Sequence, residues 1–234
     1  MVPQKKKWYD LISRFADVFL PRVCLHCDVK LKPAEQYFCT ECADKMPLLS
    51  ELNLNFFYNH AFYGTNVAEL YTLYLFETDS PVQSAIHKLK YGKVITLGDF
   101  LGKKLSEVIP PHLTTNDVII IPIPLSKKRR NKRGYNQAEL IAKPLAKQLG
   151  INYQSKLLKR VKNNPSQTFL NKEERKKNVE GIFEVSDKMK IQGKTILLID
   201  DVLTTGATLA EAAKCLNESG AASVSCATIA VAKL

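Results

Sequence analysis

Two adjacent carboxylates, Asp200 and Asp201, close an apolar run and are followed by Thr204, Thr205, Gly206, Ala207 and Thr208 in the stretch TILLIDDVLTTGAT, residues 195–208. Ionised carboxylates accept hydrogen bonds, as a vicinal diol requires, and threonine hydroxyls can donate to phosphate oxygens. Gly206 permits a positive φ, so the N–H groups of residues 204–208 can converge beside the positive end of a following helix, where a phosphate monoester fits. Acceptors for a diol followed by donors for a phosphate match a ribose 5-phosphate. The competing reading is a buried strand, a solvated acid pair and an ordinary capped turn.

A second constellation is cationic. Residues 124–137 read PLSKKRRNKRGYNQ, with Lys127, Lys128, Arg129, Arg130, Lys132 and Arg133 crowded into eight positions. Six cations so close repel one another unless an anion joins them. Read as a loop, they suit pyrophosphate or a nucleic-acid backbone, and Arg133 adds a fork-shaped donor set.

A third is thiol-based. Cys24-Leu-His-Cys27 and Cys39-Thr-Glu-Cys42 are two C-x-x-C pairs eleven residues apart. That spacing suits a zinc ribbon, in which four thiolates close a tetrahedral site and leave no position for chemistry. His26 is read as solvated, and Cys215 and Cys226 as small core residues.

These groups need elements to hold them. Ile196, Leu197, Leu198 and Ile199 have no polar face, as in a parallel strand covered on both sides, and ligands bind at the carboxyl ends of such strands. Leu209, Ala212, Ala213 and Leu216 repeat at helical spacing before Gly220, and Thr208 with Glu211 fits a capping box. Residues 118–123 read as a second strand, and Asn136 with Glu139 begins a helix that Pro144 should kink. If the two strands are parallel, the cations and the acids meet at one sheet edge. Residues 72–78 read as another strand, and residues 87–92, HKLKYG, as a helix end. His87 is read as structural. The polar stretch 164–183 reads as an excursion between strands, with Gln167, Arg175 and Asn178 as ligand candidates.

The chain has 234 residues, 45% of them hydrophobic, which allows one good core and a small appendage. Thirty-four Lys and Arg against 23 Asp and Glu give a net charge of +11, so anionic partners are favoured, whether polyphosphates or nucleic acid. No run approaches the roughly 18 apolar residues of a membrane span. The N-terminal apolar stretch is broken by Asp10, Arg14 and Asp17, a poor signal core, so a cytoplasmic protein is expected. There Trp8, Leu11, Ile12, Phe15, Val18 and Phe19 share a helical face that would dock on the rest of the chain or touch a membrane surface. The sequence holds no G-x-x-x-x-G-K-[ST] motif, so it lacks the loop of an ATP-driven motor.

Taken together, IHKLKYG, IPIPLSKKRRNKRGYNQ, the Gln167/Arg175/Asn178 stretch and LLIDDVLTTGATL resemble the ComF family of competence proteins, which are similar to amidophosphoribosyltransferases. The resemblance implies an α/β fold, a type I phosphoribosyltransferase-like parallel sheet flanked by helices with a small N-terminal zinc-ribbon domain. Its divisions would be 1–50, an amphipathic helix and zinc ribbon, and 51–234, the phosphoribosyltransferase-like domain. It implies phosphoribosyl pyrophosphate (PRPP) bound with Mg²⁺, since a diphosphate beside two carboxylates is otherwise repelled. Asp200 and Asp201 would hold the ribose hydroxyls, and Thr204, Thr205, Gly206, Ala207 and Thr208 the 5-phosphate. Lys127, Lys128, Arg129 and Arg133 would face the pyrophosphate, with Asp200, Asp201 and Arg133 catalytic. The implied cellular role is DNA uptake in natural transformation, with single-stranded DNA and a competence helicase as partners. The alternative is a non-catalytic single-stranded DNA-binding protein that keeps PRPP as an effector or inherited ligand.

Overall fold

The computed structural model describes residues 21–162 and 180–233. The apolar N-terminal face from Trp8 to Phe19 and the candidates Gln167, Arg175 and Asn178 lie outside the described residues. In chain order the elements are α1 (Thr40–Asp44), α2 (Glu51–Phe62), β1 (Leu70–Phe76), α3 (Pro81–Tyr91), α4 (Thr96–Leu105), β2 (Val118–Pro122), α5 (Lys127–Arg133) and α6 (Gln137–Leu149). There follow β3 (Asn152–Tyr153), β4 (Leu158–Arg160), β5 (Phe183–Val185), β6 (Thr195–Leu203), α7 (Ala207–Glu218) and β7 (Ser223–Ala232).

Five strands form one parallel sheet in the order β1-β7-β6-β2-β3. Its central strands read as unbroken apolar runs because helices cover both faces. All of β2 is buried, and so are eight of ten residues in β7. Leu197 and Ile199 of β6 pack into a cluster with Leu89 of α3, Leu101 of α4 and Ile141 of α6. Ile196 and Leu198 pack on the opposite face with Leu209, Ala213 and Leu216 of α7. Side chains alternate along a strand, so Asp200 continues the α7 side and Asp201 the α3 side. The register Pro122↔Ile199 brings the ends of β2 and β6 to the same edge.

Several expectations change. The cations of residues 127–133 form a helix and not a loop, because Ser126 caps it by accepting from the Arg129 N–H at 3.4 Å and Lys and Arg are good helix formers. Gly134, at φ +82°, ends it. Thr208 does not cap α7; Gly206 occupies the cap position and Glu211 instead accepts from the Gly181 N–H at 2.6 Å. Helix α6 runs on through Pro144, whose ring packs at Gly102 of α4. His26 is half-buried and its Nδ1 lies 2.9 Å from Ser84 Oγ, which ties the cysteine-bearing segment to α3. Helix α2 was not expected; its apolar residues point both inward, as Phe57 and Phe62, and outward, as Leu52 and Phe56. Antiparallel β4 and β5 form a separate two-stranded sheet.

Candidate functional site

Asp200 and Asp201 stand at the carboxyl end of β6, and both are held by the backbone. Asp200 Oδ1 accepts from the Asp201 N–H at 2.8 Å, and Asp201 Oδ1 accepts from the Val202 N–H at 2.9 Å. The second Asp201 oxygen pairs with Lys90 Nζ at 2.9 Å, and the Asp201 side chain is only 6% exposed. Burial, and then the adjacent Asp201 charge, push the Asp200 carboxyl up from 3.8 to about 7, against the opposing pull of Lys90.

Beyond the acids the chain turns through Thr204, Thr205 and Gly206 into α7. Gly206 has φ +76°, and a Cβ there would lie 2.9 Å from Ala61 Cβ and 3.1 Å from Phe62 Cε1 of α2. Only glycine satisfies both the handedness and the packing. Helix α2 thus braces the turn from behind while the start of α7, at Ala207, aims its free N–H groups forward. Thr204 and Thr208 line the cleft in front, whereas Thr205, Gly206 and Ala207 are not among its lining residues.

That cleft has a volume of about 940 Å³ and collects the carboxyl ends of four strands: Phe76 of β1, Ile123 after β2, Asp200 to Val202 of β6 and Ala232 of β7. Its cationic wall is one face of α5, where Lys128, Arg129, Lys132 and Arg133 line it while Lys127 and Arg130 do not. Arg133 is positioned by the end of α3. Its guanidinium sits 5.0 Å from the Tyr91 ring centroid and donates to the Tyr91 hydroxyl at 3.2 Å. That hydrogen bond pulls the Tyr91 hydroxyl below its ordinary pKa. Tyr135 donates to the Leu89 carbonyl at 2.7 Å, a second tie between α3 and the segment after α5. His87 also lines the cleft, with its ring 5.1 Å from Tyr91.

Lys90, Tyr91 and Arg160 are among the lining residues not singled out as ligand contacts from sequence. Lys90 and Tyr91 lie in the HKLKYG segment, where they read as a helix end. Arg160, at the end of β4, enters the cleft from the Asp200 side with its guanidinium 5.8 Å from the Phe183 ring. Its buried Nε has no hydrogen-bond partner, and burial, then Arg129, lower its pKa while Asp200 opposes. Gln137, buried at the start of α6, likewise leaves its Oε1 unpartnered in the cleft. Unsatisfied polar atoms facing a cleft are unfinished hydrogen bonds that a ligand can complete.

The four cysteines converge as well. One ligand atom from each of Cys24, Cys27, Cys39 and Cys42 lies within 4.8 Å of the others, and Cys27 Sγ is 3.6 Å from Cys39 Sγ. Four thiolates about 2.3 Å from a central ion stand about 3.8 Å apart, so the cluster has the size of a tetrahedral metal site, and all four thiols are free. Cys24, Cys39 and Cys42 are buried in the same cluster as Leu73 of β1 and Leu101 of α4. The site is therefore built into the wall of the main core.

A phosphoribosyl transferase domain model matches residues 136–233. That span takes in the acids, the glycine turn and α7. The chain is 34% identical over 148 residues to DNA utilization protein YhgH of Shigella flexneri, covering 62% of this chain and 64% of that protein. It is 31% identical over 145 residues to competence protein F of Haemophilus influenzae, covering 60% and 63%. It is 45% identical over 112 residues to competence protein ComFC of Bacillus subtilis, covering 47% and 43%. The chain is thus similar to competence proteins of the ComF type and carries a region matching a phosphoribosyl transferase domain. The matched region spans just under two thirds of the length of the first two of these relatives. As in a type I phosphoribosyltransferase-like fold, the chain places its acid pair and glycine turn where parallel strands end. Among the described residues no helix is long and apolar enough to cross a membrane.

Proposed function

We infer that this protein is of the ComF type, binds PRPP as its Mg²⁺ complex and has phosphoribosyltransferase chemistry, in the service of DNA uptake. The observation that carries the reading is the meeting, in one cleft, of the Asp200-Asp201 pair, a glycine turn at a helix start and a wall of cations. The ribose hydroxyls donate to Asp200 and Asp201. The 5-phosphate takes the N–H groups of residues 204–208 and the Thr204, Thr205 and Thr208 hydroxyls. The diphosphate lies toward Lys128, Arg129 and Arg133, with Lys127 adding long-range positive field from the first turn of α5.

Bound with the substrate, Mg²⁺ neutralises the diphosphate and lets it approach two carboxylates. The residues present fit that role, since the acids face a cationic wall across a cleft open to a hydrated ligand. Breaking the C1–O bond develops positive charge on the ribose ring and negative charge on the departing pyrophosphate. Arg133, fixed on Tyr91, and Arg129 are preorganised donors for that negative charge. Asp200 and Asp201 fix the ring and stabilise the cationic side, contributing mainly by orientation. Zn²⁺ is the metal proposed for the four-cysteine site, where it has a structural role.

The names of the relatives refer to competence and DNA utilization, and one observation gives a DNA-binding reading of its own. Lys127 and Arg130 lie on α5 away from the cleft and are exposed. That outer face can follow a nucleic-acid backbone while the inner face holds the ligand. The non-catalytic alternative makes the single-stranded DNA contact primary and PRPP an effector or inherited ligand; a competence helicase would then supply the motor. Pyrophosphate release from PRPP, screened against nucleobases and single-stranded DNA, tests the enzyme reading. Release that depends on Asp200 and Asp201 supports it, whereas PRPP binding without turnover of any acceptor favours the effector reading. Replacing Arg130 by Gln should weaken DNA binding while leaving PRPP affinity within about twofold, because a rim charge acts mainly at long range.

A further inference from the structure

Lys90 is the one cleft cation that already has a carboxylate partner among the described residues. It reaches from the last turn of α3, with its side chain 22% exposed, to Asp201 Oδ2 at 2.9 Å. Asp201 Oδ1 accepts from the Val202 N–H at 2.9 Å, while Oδ2 is buried, ion-paired with Lys90 and without a hydrogen bond. Because Oδ2 is shielded from the cleft beside that ammonium, a ribose hydroxyl or a metal-bound water reaches it when Lys90 moves aside. Lys90 adjoins Tyr91, which holds Arg133, so the displaced ammonium stands between the acids and the cationic wall. A lysine suits such a move, because its charge is a compact point on a flexible stem and needs no fixed fork geometry.

We propose that Lys90 exchanges partners when the site fills: it occupies Asp201 in the empty cleft and passes to the diphosphate of the incoming ligand. The inference rests on the PRPP reading of the cleft. It makes Lys90 a specificity-determining residue. In the empty cleft its ammonium neutralises the acid pair and keeps a bare divalent cation out; only a ligand that brings both a diol for Asp201 and an anion for Lys90 satisfies every group. Metal and sugar diphosphate therefore enter together.

The test compares wild type, Lys90→Met and Lys90→Arg, using Mn²⁺ alone followed by electron paramagnetic resonance, and Mg²⁺ with PRPP followed by calorimetry. Circular dichroism confirms folding of each, and the Arg variant preserves a charge at the position should the Met variant not fold. Expected for Lys90→Met is affinity for Mn²⁺ alone tighter by roughly tenfold or more, together with Mg²⁺-PRPP binding weaker by roughly tenfold or more, opposite shifts of about 1.4 kcal/mol each. Lys90→Arg should stay nearer to wild type in both. Unchanged Mn²⁺ affinity in Lys90→Met overturns the exchange, and so does loss of both ligands together. Wild type that fails to bind Mg²⁺-PRPP refutes the PRPP reading itself, whereas wild-type binding with an unaffected Lys90→Met variant refutes only the exchange.

Discussion

Arg133 lies over Tyr91, 5.0 Å from the ring centroid, and donates to its hydroxyl at 3.2 Å. A guanidinium fixed in this way loses less entropy when it grips an anion. Tyr91→Phe keeps the ring and removes the hydroxyl, and it should weaken Mg²⁺-PRPP binding by a few fold. Tyr91→Ala removes both and should cost roughly tenfold or more, about the sum of a cation–π contact and a charge-assisted hydrogen bond. Calorimetry on the two variants reads the difference; equal affinity in all three proteins would show that Arg133 needs no support from Tyr91.

Asp200 makes the ligand-free fold sensitive to pH. Burial raises its carboxyl from 3.8 to about 7, so the folded chain holds this proton more tightly than the unfolded chain. The stabilising contribution is complete below about pH 4 and is lost as pH rises toward and through about 7. Asp200→Asn is neutral at every pH. It should therefore melt near wild type at pH 4 and several degrees above it at pH 8, by calorimetric melting without ligand. A lower melting temperature for the variant at pH 8 would contradict the assignment of Asp200 as a destabilising, half-buried acid.

Gly206 joins the ligand turn to α2. Gly206→Ala introduces a Cβ at φ +76° and within 2.9 Å of Ala61 Cβ, so strain and overpacking add. Destabilisation of about 1–3 kcal/mol is expected, with loss of PRPP binding in the fraction that remains folded. Ala61→Gly in the same chain should restore only part of the stability, since it removes the Cβ contact but leaves the Ala61 carbonyl oxygen at 3.0 Å, Phe62 Cε1 at 3.1 Å and the backbone strain. Denaturant unfolding of the two variants separates the contributions.

Metal removal should be felt beyond the cysteines. Because Cys24, Cys39 and Cys42 share a buried cluster with Leu73 and Leu101, and His26 meets Ser84, the ribbon helps to cover the α3 and α4 side of the core. Metal analysis should find one zinc ion per chain, and Cys42→Ala or chelation should lower the melting temperature by several degrees. A metal-free protein of unchanged stability would show that the ribbon holds its shape by packing alone.

Much of this site was legible in the primary structure, for reasons that differ by residue. Residues 196–199 are apolar without alternation, which only a doubly covered strand explains, and Gly206 and Gly220 mark the ends of α7. The cations at 127–133 were evident as a cluster but not as a helix, because an all-basic segment has no apolar face to show its period. Ser126 was the available signal, a capping residue three positions before Arg129. Helix α2 escaped notice for the opposite reason, with apolar side chains both inside and outside. Arg160 could not have been assigned, since its place in the cleft comes from the β4 and β5 pairing of residues more than twenty positions apart. Lys90 and Tyr91 satisfied a helix-end reading completely, and their partners Asp201 and Arg133 are far along the chain. Their role became visible only in three dimensions.

The central claim is that the acid pair and the glycine turn grip one phosphorylated pentose. Calorimetric titration of PRPP into the protein, with and without Mg²⁺, tests it most directly when wild type is compared with a variant carrying both Asp200→Asn and Asp201→Asn. The expected result is Mg²⁺-dependent binding by wild type and affinity weaker by roughly a hundredfold in the variant, as loss of charged hydrogen-bond acceptors implies. Absence of Mg²⁺-dependent binding in wild type, or equal affinity in the two proteins, would contradict it.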